Sequence, residues 1–193
     1  NTVIGLFESF MYLSLAFLVA GRPLVARFGA IGVMGTFWAA RYLAMAPALL
    51  TALPAVQANR ALTFALLGFG VLGFHTAKGI GIAAEKPIIG EVAGEKDRGA
   101  FLSRIQSLNQ SFSLGVWLII GLVLSRNPLP QTYTLFFGVG IVVGLIASWT
   151  MLRLPEPRGL EKGYTEPLLP SIRRGLVDVG FKRLIALFFV MTV

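Results

Sequence analysis

Residues 133–152 read YTLFFGVGIVVGLIASWTML and are followed directly by Arg153. The run contains no Asp, Glu, Lys or Arg, and about 20 residues are enough for a helix to cross the hydrocarbon core of a bilayer. The run lacks the alternation of apolar and polar residues that is typical of membrane barrel strands. An open sheet would leave backbone groups unpaired in lipid. The run therefore predicts a membrane-spanning helix.

Four more apolar runs of similar length come before this one. They occupy residues 3–20, 31–53, 61–84 and 108–124, and a sixth run begins at residue 184. The composition agrees, because 55% of the 193 residues are hydrophobic and only 13% are charged. Mean hydropathy is +0.76, outside the range of ordinary soluble domains. The sequence predicts an all-α, polytopic transmembrane helix bundle, with five transmembrane helices in residues 1–152.

Lys and Arg are unevenly distributed among the polar stretches between the runs. Residues 21–30, 85–107 and 153–183 hold two, four and seven of the 17 basic residues, whereas the intervening loops hold only Arg60 and Arg126. By the positive-inside rule, the three basic stretches are predicted to be cytoplasmic loops and the N-terminus lies outside. The net charge of +8 therefore indicates orientation in a plasma or inner membrane, and not a nucleic-acid surface.

Both ends of the sequence fall within apolar runs, and the first run has no basic segment before it. A chain that starts outside needs an earlier helix to carry it there. We therefore expect a piece of a longer protein, with at least one helix before residue 1. Residues 153–183 are predicted to form an exposed central linker, and residues 184–193 the start of the next helix.

Several site chemistries are excluded by composition and motif. The sequence has no cysteine and one histidine, so disulfides, thiolate metal sites and histidine-rich metal sites cannot form. No P-loop, HExxH or GxSxG motif occurs, and the GxGxxG spacing at residues 68–73 lies inside an apolar run. The prediction is a protein that is not an enzyme and has no metal or other cofactor.

Four ionisable residues, Glu8, Arg41, His75 and Lys78, lie inside apolar runs. A charge at the centre of a membrane helix costs about 2.5 to 3.5 kcal/mol on insertion scales, so each must face protein or water. Arg41 is ten residues into its run, which places it about 15 Å deep, near the midplane. Two interpretations are open: an ion pair with Glu8, or contact with a substrate or coupling ion.

His75 and Lys78 also have two interpretations each. Histidine titrates near neutral pH, so His75 is either a proton carrier or a buried neutral imidazole bonded to a neighbouring helix. Lys78 lies about 25 Å along its helix. Its ammonium either snorkels to the cytoplasmic interface or lines a pathway.

The fourth run carries a polar face. Its members are spaced i, i+3, i+4 and i+7, and they are Gln106, Asn109, Gln110 and Ser113. Such a face needs water or a polar partner. Asn109 and Gln110 are therefore candidates for an aqueous path, with interhelical hydrogen bonding as the alternative.

Small residues and one proline give expectations about packing. Glycines recur at spacings that let helices approach closely: Gly140 and Gly144 in the fifth run, and Gly68, Gly70, Gly73, Gly79 and Gly81 in the third. Pro47 lies inside the second run, where it is predicted to kink the helix.

Residues 21–31, GRPLVARFGAI, resemble the loop between helices two and three of the major facilitator superfamily, commonly G-x-L-a-D-R-x-G-R-R. Leu24, Arg27 and Gly29 match this pattern. Ala26 stands where the aspartate is usual, and Ala and Ile replace the two basic residues that usually follow Gly29. In the family that aspartate belongs to a cytoplasmic latch, so the resemblance implies a latch that is built differently here.

Residues 75–84, HTAKGIGIAA, are similar to R-x-x-Q-G-x-G-x-A in helix four of proton-coupled members. His75 takes the arginine place and Lys78 the glutamine place. Arg98, followed by glycine, resembles the pair that opens helix five, and residues 171–188 resemble the central linker entering helix seven. The sequence therefore aligns with helices two to the start of seven.

The resemblance implies a 12-helix transporter that moves a small solute by alternating access, as a symporter or antiporter. It implies Arg27, Gly29 and Arg98 as elements of the cytoplasmic gate, and it leaves proton coupling open. The expected partners are a small-molecule solute, a coupling ion such as the proton, and the lipid bilayer. A transporter-like receptor or lipid-handling protein is the alternative, followed by a membrane-embedded enzyme.

Overall fold

A computed structural model describes residues 2–157. Side chains within the helices are described except at positions 2–4, 6–8, 11, 13, 15, 86, 91 and 94–96. Most of the predicted linker 153–183 and all of the predicted helix start 184–193 lie outside the described residues. The side chain of Glu8 does as well.

The described chain consists of helices in sequence order. They are α1 (Thr2–Phe28), α2 (Ala30–Ala44), a 3₁₀ segment (Ala46–Ala52), α3 (Pro54–Gln57), α4 (Arg60–Ile82), α5 (Glu85–Arg126) and α6 (Pro130–Leu152). No strand occurs within residues 2–157. The predicted all-α class is thus confirmed.

Four helical segments are long and apolar enough to cross a membrane. They are Ala30–Ala52, Arg60–Gly90, Asp97–Arg126 and Pro130–Leu152. They contain or overlap the second to fifth apolar runs. The first run, residues 3–20, lies within α1, which has 27 residues, and its role as a membrane span stays a prediction.

Two stretches that the sequence predicted as loops are helical. Helix α1 continues through Pro23 to Phe28, and the chain then turns at a single residue, Gly29, with φ +79°. Helix α5 begins at Glu85 and runs for 42 residues through the predicted loop 85–107. That stretch consists largely of residues that favour helix, and its one proline, Pro87, lies in the first turn, where a missing N–H does little harm. Polarity alone does not end a helix.

Pro47 was predicted to kink a continuous helix, and this was wrong. Instead of one kinked helix, α2 ends at Ala44 and the chain continues as the 3₁₀ segment, with Pro47 in its first turn. Proline removes an N–H and clashes with the carbonyl four residues earlier, so the α-helical ladder stops before it. Together the two pieces still span Ala30–Ala52.

Helix α4 is the centre of the packing and lies against both α1 and α2. A Cβ atom on Gly79 would overlap the backbone of Ser14 in α1, and one on Gly81 would lie 3.0 Å from Cδ1 of Trp38 in α2. Only glycine permits this approach at Gly79. The predicted packing role of Gly79 and Gly81 is therefore confirmed.

The two glycines of the fifth run, Gly140 and Gly144, differ in how closely other helices approach them. A Cβ on Gly144 would overlap the ring of Tyr42 in α2, whereas one on Gly140 would meet no described atom within 4 Å. Helix α6 thus packs on α2 through Gly144, and no described residue packs closely on Gly140.

Helix α5 makes few contacts with its neighbours. Its large apolar side chains are exposed, among them Phe112 at 75% and Trp117 at 70%. In a membrane this surface faces lipid or other parts of the protein. The sparse contact leaves a space between α5 and the packed helices.

Candidate functional site

Arg41 lies in the last turn of α2, where the helix dipole favours a cation. Its Cζ atom lies 4.4 Å from the ring centroid of Trp38, 4.6 Å from that of Tyr42 and 5.4 Å from that of Phe74 in α4. Cations within about 6 Å of a ring centroid are attracted to the ring face. Three aromatic rings therefore surround the guanidinium at close range. We call Arg41, Trp38, Tyr42 and Phe74 the arginine cage.

Within the cage, only some of the hydrogen-bond donors of the guanidinium are paired. Nη2 of Arg41 donates a hydrogen bond of 2.5 Å to the hydroxyl oxygen of Tyr42. Nε of Arg41 is buried and has no hydrogen-bond partner among the residues that the structure describes. The predicted ion pair with Glu8 involves a side chain outside the described residues, and it stays a prediction.

Tyr42 is held in place from α6. The Gly144 backbone lies so close to the Tyr42 ring that no side chain fits between them. The carbonyl of Gly144 also accepts a hydrogen bond of 2.7 Å from the buried Oγ of Ser148, one turn further along α6. The phenol next to Arg41 is thus positioned by two helices.

His75 belongs to the same cluster. Its ring packs edge-on against Phe74, with centroids 5.4 Å apart, and Phe74 in turn packs edge-on against Tyr42 at 6.3 Å. Nδ1 of His75 is buried and has no hydrogen-bond partner within the described part of the chain. The predicted hydrogen bond to a neighbouring helix therefore does not form at this nitrogen. Lys78 lies one turn further along α4 and is half-buried.

A cavity of about 570 Å³ opens beside this cluster, between α2, α4, α5 and α6. Tyr42 and His75 line it, as does Phe74. Its remaining walls are mainly aliphatic or aromatic, and the aromatic ones are Trp117, Tyr133, Phe136 and Phe137. Ligand pockets are typically of this size, apolar, and provided with a few convergent polar groups.

Asn109 and Gln110 lie on α5 and are exposed, and neither lines the cavity. Gln110 is seven residues before the cavity residue Trp117, and Ser113 is seven residues before the cavity residue Ile120. Residues seven apart share one helix face. The polar face predicted from the sequence therefore continues, along α5, the face that lines the cavity.

A second feature lies at the turn between α1 and α2. The carboxylate of Glu156, which follows α6, accepts hydrogen bonds from the backbone N–H of Ala30 at 3.0 Å and of Gly32 at 3.1 Å. These N–H groups belong to the first turn of α2, where a negative charge is favourable. A Cβ on Gly29 would collide with this carboxylate. Glu156 therefore joins the end of α6 to the start of α2.

The other two gate candidates are exposed, and only Arg27 lies beside this turn. Arg27 stacks on its neighbour Phe28 at 5.2 Å from the ring centroid. Arg98 lies on α5 with its guanidinium against Gly90 of the same helix. Helices α1 and α5 make no contact in the described residues, so Arg27 and Arg98 are not brought together.

Sequence reasoning missed the aromatic residues around Arg41 and the role of Glu156. The spacing of Trp38 to Arg41, i to i+3, was a usable signal because such residues neighbour each other on a helix. Phe74 and Glu156 are distant in sequence from their partners, and no local pattern marks them. Among the described residues, no group of three or more His, Cys, Asp or Glu could hold a metal ion.

Comparisons with protein-family models, curated proteins and solved structures gave no match to this chain.

Proposed function

We propose that the protein moves a small solute across the membrane by alternating access, as a secondary active transporter of the major facilitator type. One observation carries this proposal. The imidazole of His75, with an unpartnered nitrogen, and the phenol of Tyr42, which accepts a hydrogen bond from Arg41, line a large cavity between helices that are long and apolar enough to cross a bilayer. Ionisable groups at such a depth are costly, and they commonly mark solute or ion pathways.

A route from the cavity to one side of the membrane supports the proposal. The face of α5 that lines the cavity at Trp117 and Ile120 becomes polar towards the start of the helix, at Gln110 and Ser113. In the predicted orientation that end is cytoplasmic. A solute leaving the apolar cavity would then meet a hydrated path.

The turn at Gly29 supports a gate on the same side. Glu156 provides a carboxylate near the place where Ala26 replaces the usual aspartate of the family motif. Glu156 follows α6 and accepts hydrogen bonds from the first turn of α2. These two helices can therefore move as one body when two bundles rock against each other. In the proposed gate, Gly29 leaves room for the Glu156 carboxylate at this turn. Arg27 and Arg98 remain candidates for the same gate.

The proposal is tested by uptake. The complete protein, reconstituted in proteoliposomes, is offered a panel of labelled organic acids, amino acids, sugars and organic cations, with and without a pH gradient. We expect uptake of at least one class, and we expect Arg41→Gln to lose most of it. Arg153→Gln is the matched control, because Arg153 also stacks on an aromatic ring, Trp149, but that ring does not line the cavity, whereas Arg41 contacts the cavity residue Tyr42.

A receptor of the same fold would bind solute in the cavity without moving it, so uptake and not binding discriminates the two. Complete protein that binds a solute but transports none of the panel would contradict the transport proposal.

For proton coupling, His75→Ala should abolish acceleration of uptake by the pH gradient. Transport that is independent of pH in the unaltered protein would remove this role of His75.

A further inference from the structure

We propose that the solute bound in this cavity is an organic carboxylate with an apolar, aromatic-sized body. This identifies the substrate class of the transport site proposed above, and as a statement about transport it rests on that proposal. Three properties of the site carry it: the walls of the cavity, the position of the cation, and the kind of hydrogen-bonding atom that lacks a partner.

The walls determine the body of the ligand. The cavity volume of about 570 Å³ suits a molecule of one or two rings, and the walls combine aromatic rings with Val71, Ile120, Leu124 and Ile141. Sugars and other polyhydroxylated solutes would leave most of their hydroxyl groups unpaired against such walls. An apolar body gains the burial of its surface there.

The cation determines the sign of the charge. Arg41 already lies within cation–π distance of Tyr42 and Phe74, two residues of the cavity wall. A second cation would be repelled by the guanidinium and would compete with it for the same rings. An anion in the cavity is instead attracted to the guanidinium, because only the Tyr42 side chain lies between Arg41 and the cavity at that wall.

The unpartnered atoms determine the polar group. Buried nitrogens without a partner among the described residues are Nε1 of Trp38, Nε of Arg41 and Nδ1 of His75. The first two can only donate hydrogen bonds, and a histidine nitrogen can donate. Buried polar groups are almost always satisfied in proteins. The cluster therefore has an excess of donors, and of these three residues His75 lines the cavity, where a ligand that brings acceptor oxygens complements it.

Tyr42 connects the charge to the cavity. Its hydroxyl oxygen accepts from Nη2 of Arg41, so its own O–H remains available to donate to a ligand. A hydroxyl that accepts from a charged donor becomes a stronger donor itself. We assign the carboxylate to this hydroxyl, with His75 as the second donor.

Three probes with the same ring system test the charge preference: 2-naphthoate, 2-naphthamide and 2-naphthylmethylammonium. Their binding to the complete protein in zwitterionic nanodiscs is measured by calorimetry. Because hydrogen bonds to charged groups are stronger than those to neutral groups, we expect the carboxylate to bind about tenfold or more tightly than the amide. The ammonium probe should bind least. Equal binding of carboxylate and amide, or preference for the ammonium, would overturn the inference.

Variants locate the recognition. Tyr42→Phe keeps the ring and removes the hydroxyl, so it should bring the carboxylate-to-amide affinity ratio close to one while amide binding is retained. Arg41→Gln should do the same, and Arg153→Gln should leave the ratio unchanged. Should Arg41→Gln fail to fold, Tyr42→Phe decides alone. An unchanged ratio in Tyr42→Phe would overturn the assignment.

Failure of this inference is distinguishable from failure of the transport proposal. Uptake of solutes together with no charge preference among the probes overturns the inference and leaves transport standing. Selective, Tyr42-dependent binding of naphthoate, with no uptake of any solute, overturns transport and supports the ligand class of the cavity.

Discussion

At the residue scale, the site depends on side chains whose partners come from other helices. Arg41 is exceptional in the sequence because it interrupts an apolar run, but its surroundings are provided by Phe74 from α4 and by the Tyr42 ring that Gly144 of α6 fixes. The residue type predicts that Arg41 must face protein or water. Which groups meet it follows only from the helix packing.

Gly144→Ala should disturb the arginine cage, because the added methyl would overlap the Tyr42 ring. We expect a lower melting temperature and weaker binding of 2-naphthoate. Gly140→Ala is the matched control for stability alone, since a Cβ there meets no described atom within 4 Å but Gly140 lines the cavity. Thermal unfolding of both variants in detergent compares them directly. Equal stability of the two variants would show that Gly144 does not hold Tyr42.

Glu156→Gln should weaken the first turn of α2, because a neutral amide interacts less favourably with the N–H groups of Ala30 and Gly32. Loss of a helix cap of this kind costs about 1 kcal/mol of stability. The measurement is hydrogen exchange of residues 29–33 in the complete protein, where we expect faster exchange. Asp97→Asn, a change at an exposed carboxylate outside this turn, serves as the control. Unchanged exchange in Glu156→Gln would refute the cap.

At the element scale, apolar runs predicted the helices better than polar stretches predicted the loops. The second to fifth runs lie within, or overlap, segments that can span a membrane. The polar stretch 85–107 was expected to leave the helix, but it is the first half of α5. A charged residue is a good helix former in water, so charge indicates exit from the hydrocarbon and carries no information on where the helix ends.

The two faces of α5 should differ in hydration. Cysteine introduced at Gln110 lies on the face that continues to Trp117, whereas cysteine at Phe112 lies about 200° around the helix. We expect a membrane-impermeant maleimide to label Gln110→Cys and to leave Phe112→Cys unlabelled in vesicles of cytoplasmic-side-out orientation. Binding of 2-naphthoate should slow the labelling at position 110. Equal labelling at both positions would contradict an aqueous path along this face.

At the scale of the whole molecule, α4 packs against α1 and α2, α6 packs against α2, and α5 makes fewer contacts and leaves the cavity. The site lies between these helices, and no single element contains it. Rigid movement of the packed helices against α5 or against further parts of the protein would open or close the cavity. The connection through Glu156 is consistent with movement of α2 and α6 together.

The charge distribution predicts the orientation of this assembly, and the 193 residues contain no cysteine that would interfere with a labelling test. Ser103→Cys in the basic half of α5 should react with an impermeant maleimide only from the cytoplasmic side. Gln131→Cys at the start of α6 should react only from outside. Both side chains are exposed, so the two variants should differ only in the side of the membrane from which the maleimide reaches them. Reversed labelling would overturn the predicted orientation.

The sequence by itself determined the helical class, the positions of the long apolar helices and the residues that lipid would not tolerate. These follow from hydropathy and from the cost of charge in a bilayer, both of which are local properties. The tertiary structure alone decided that Tyr42, the partner of Arg41, lines one cavity with His75, that Gly144 contacts Tyr42 of α2, and that Glu156 caps α2. Those outcomes depend on contacts between residues that are distant in sequence, and no local pattern specifies such contacts.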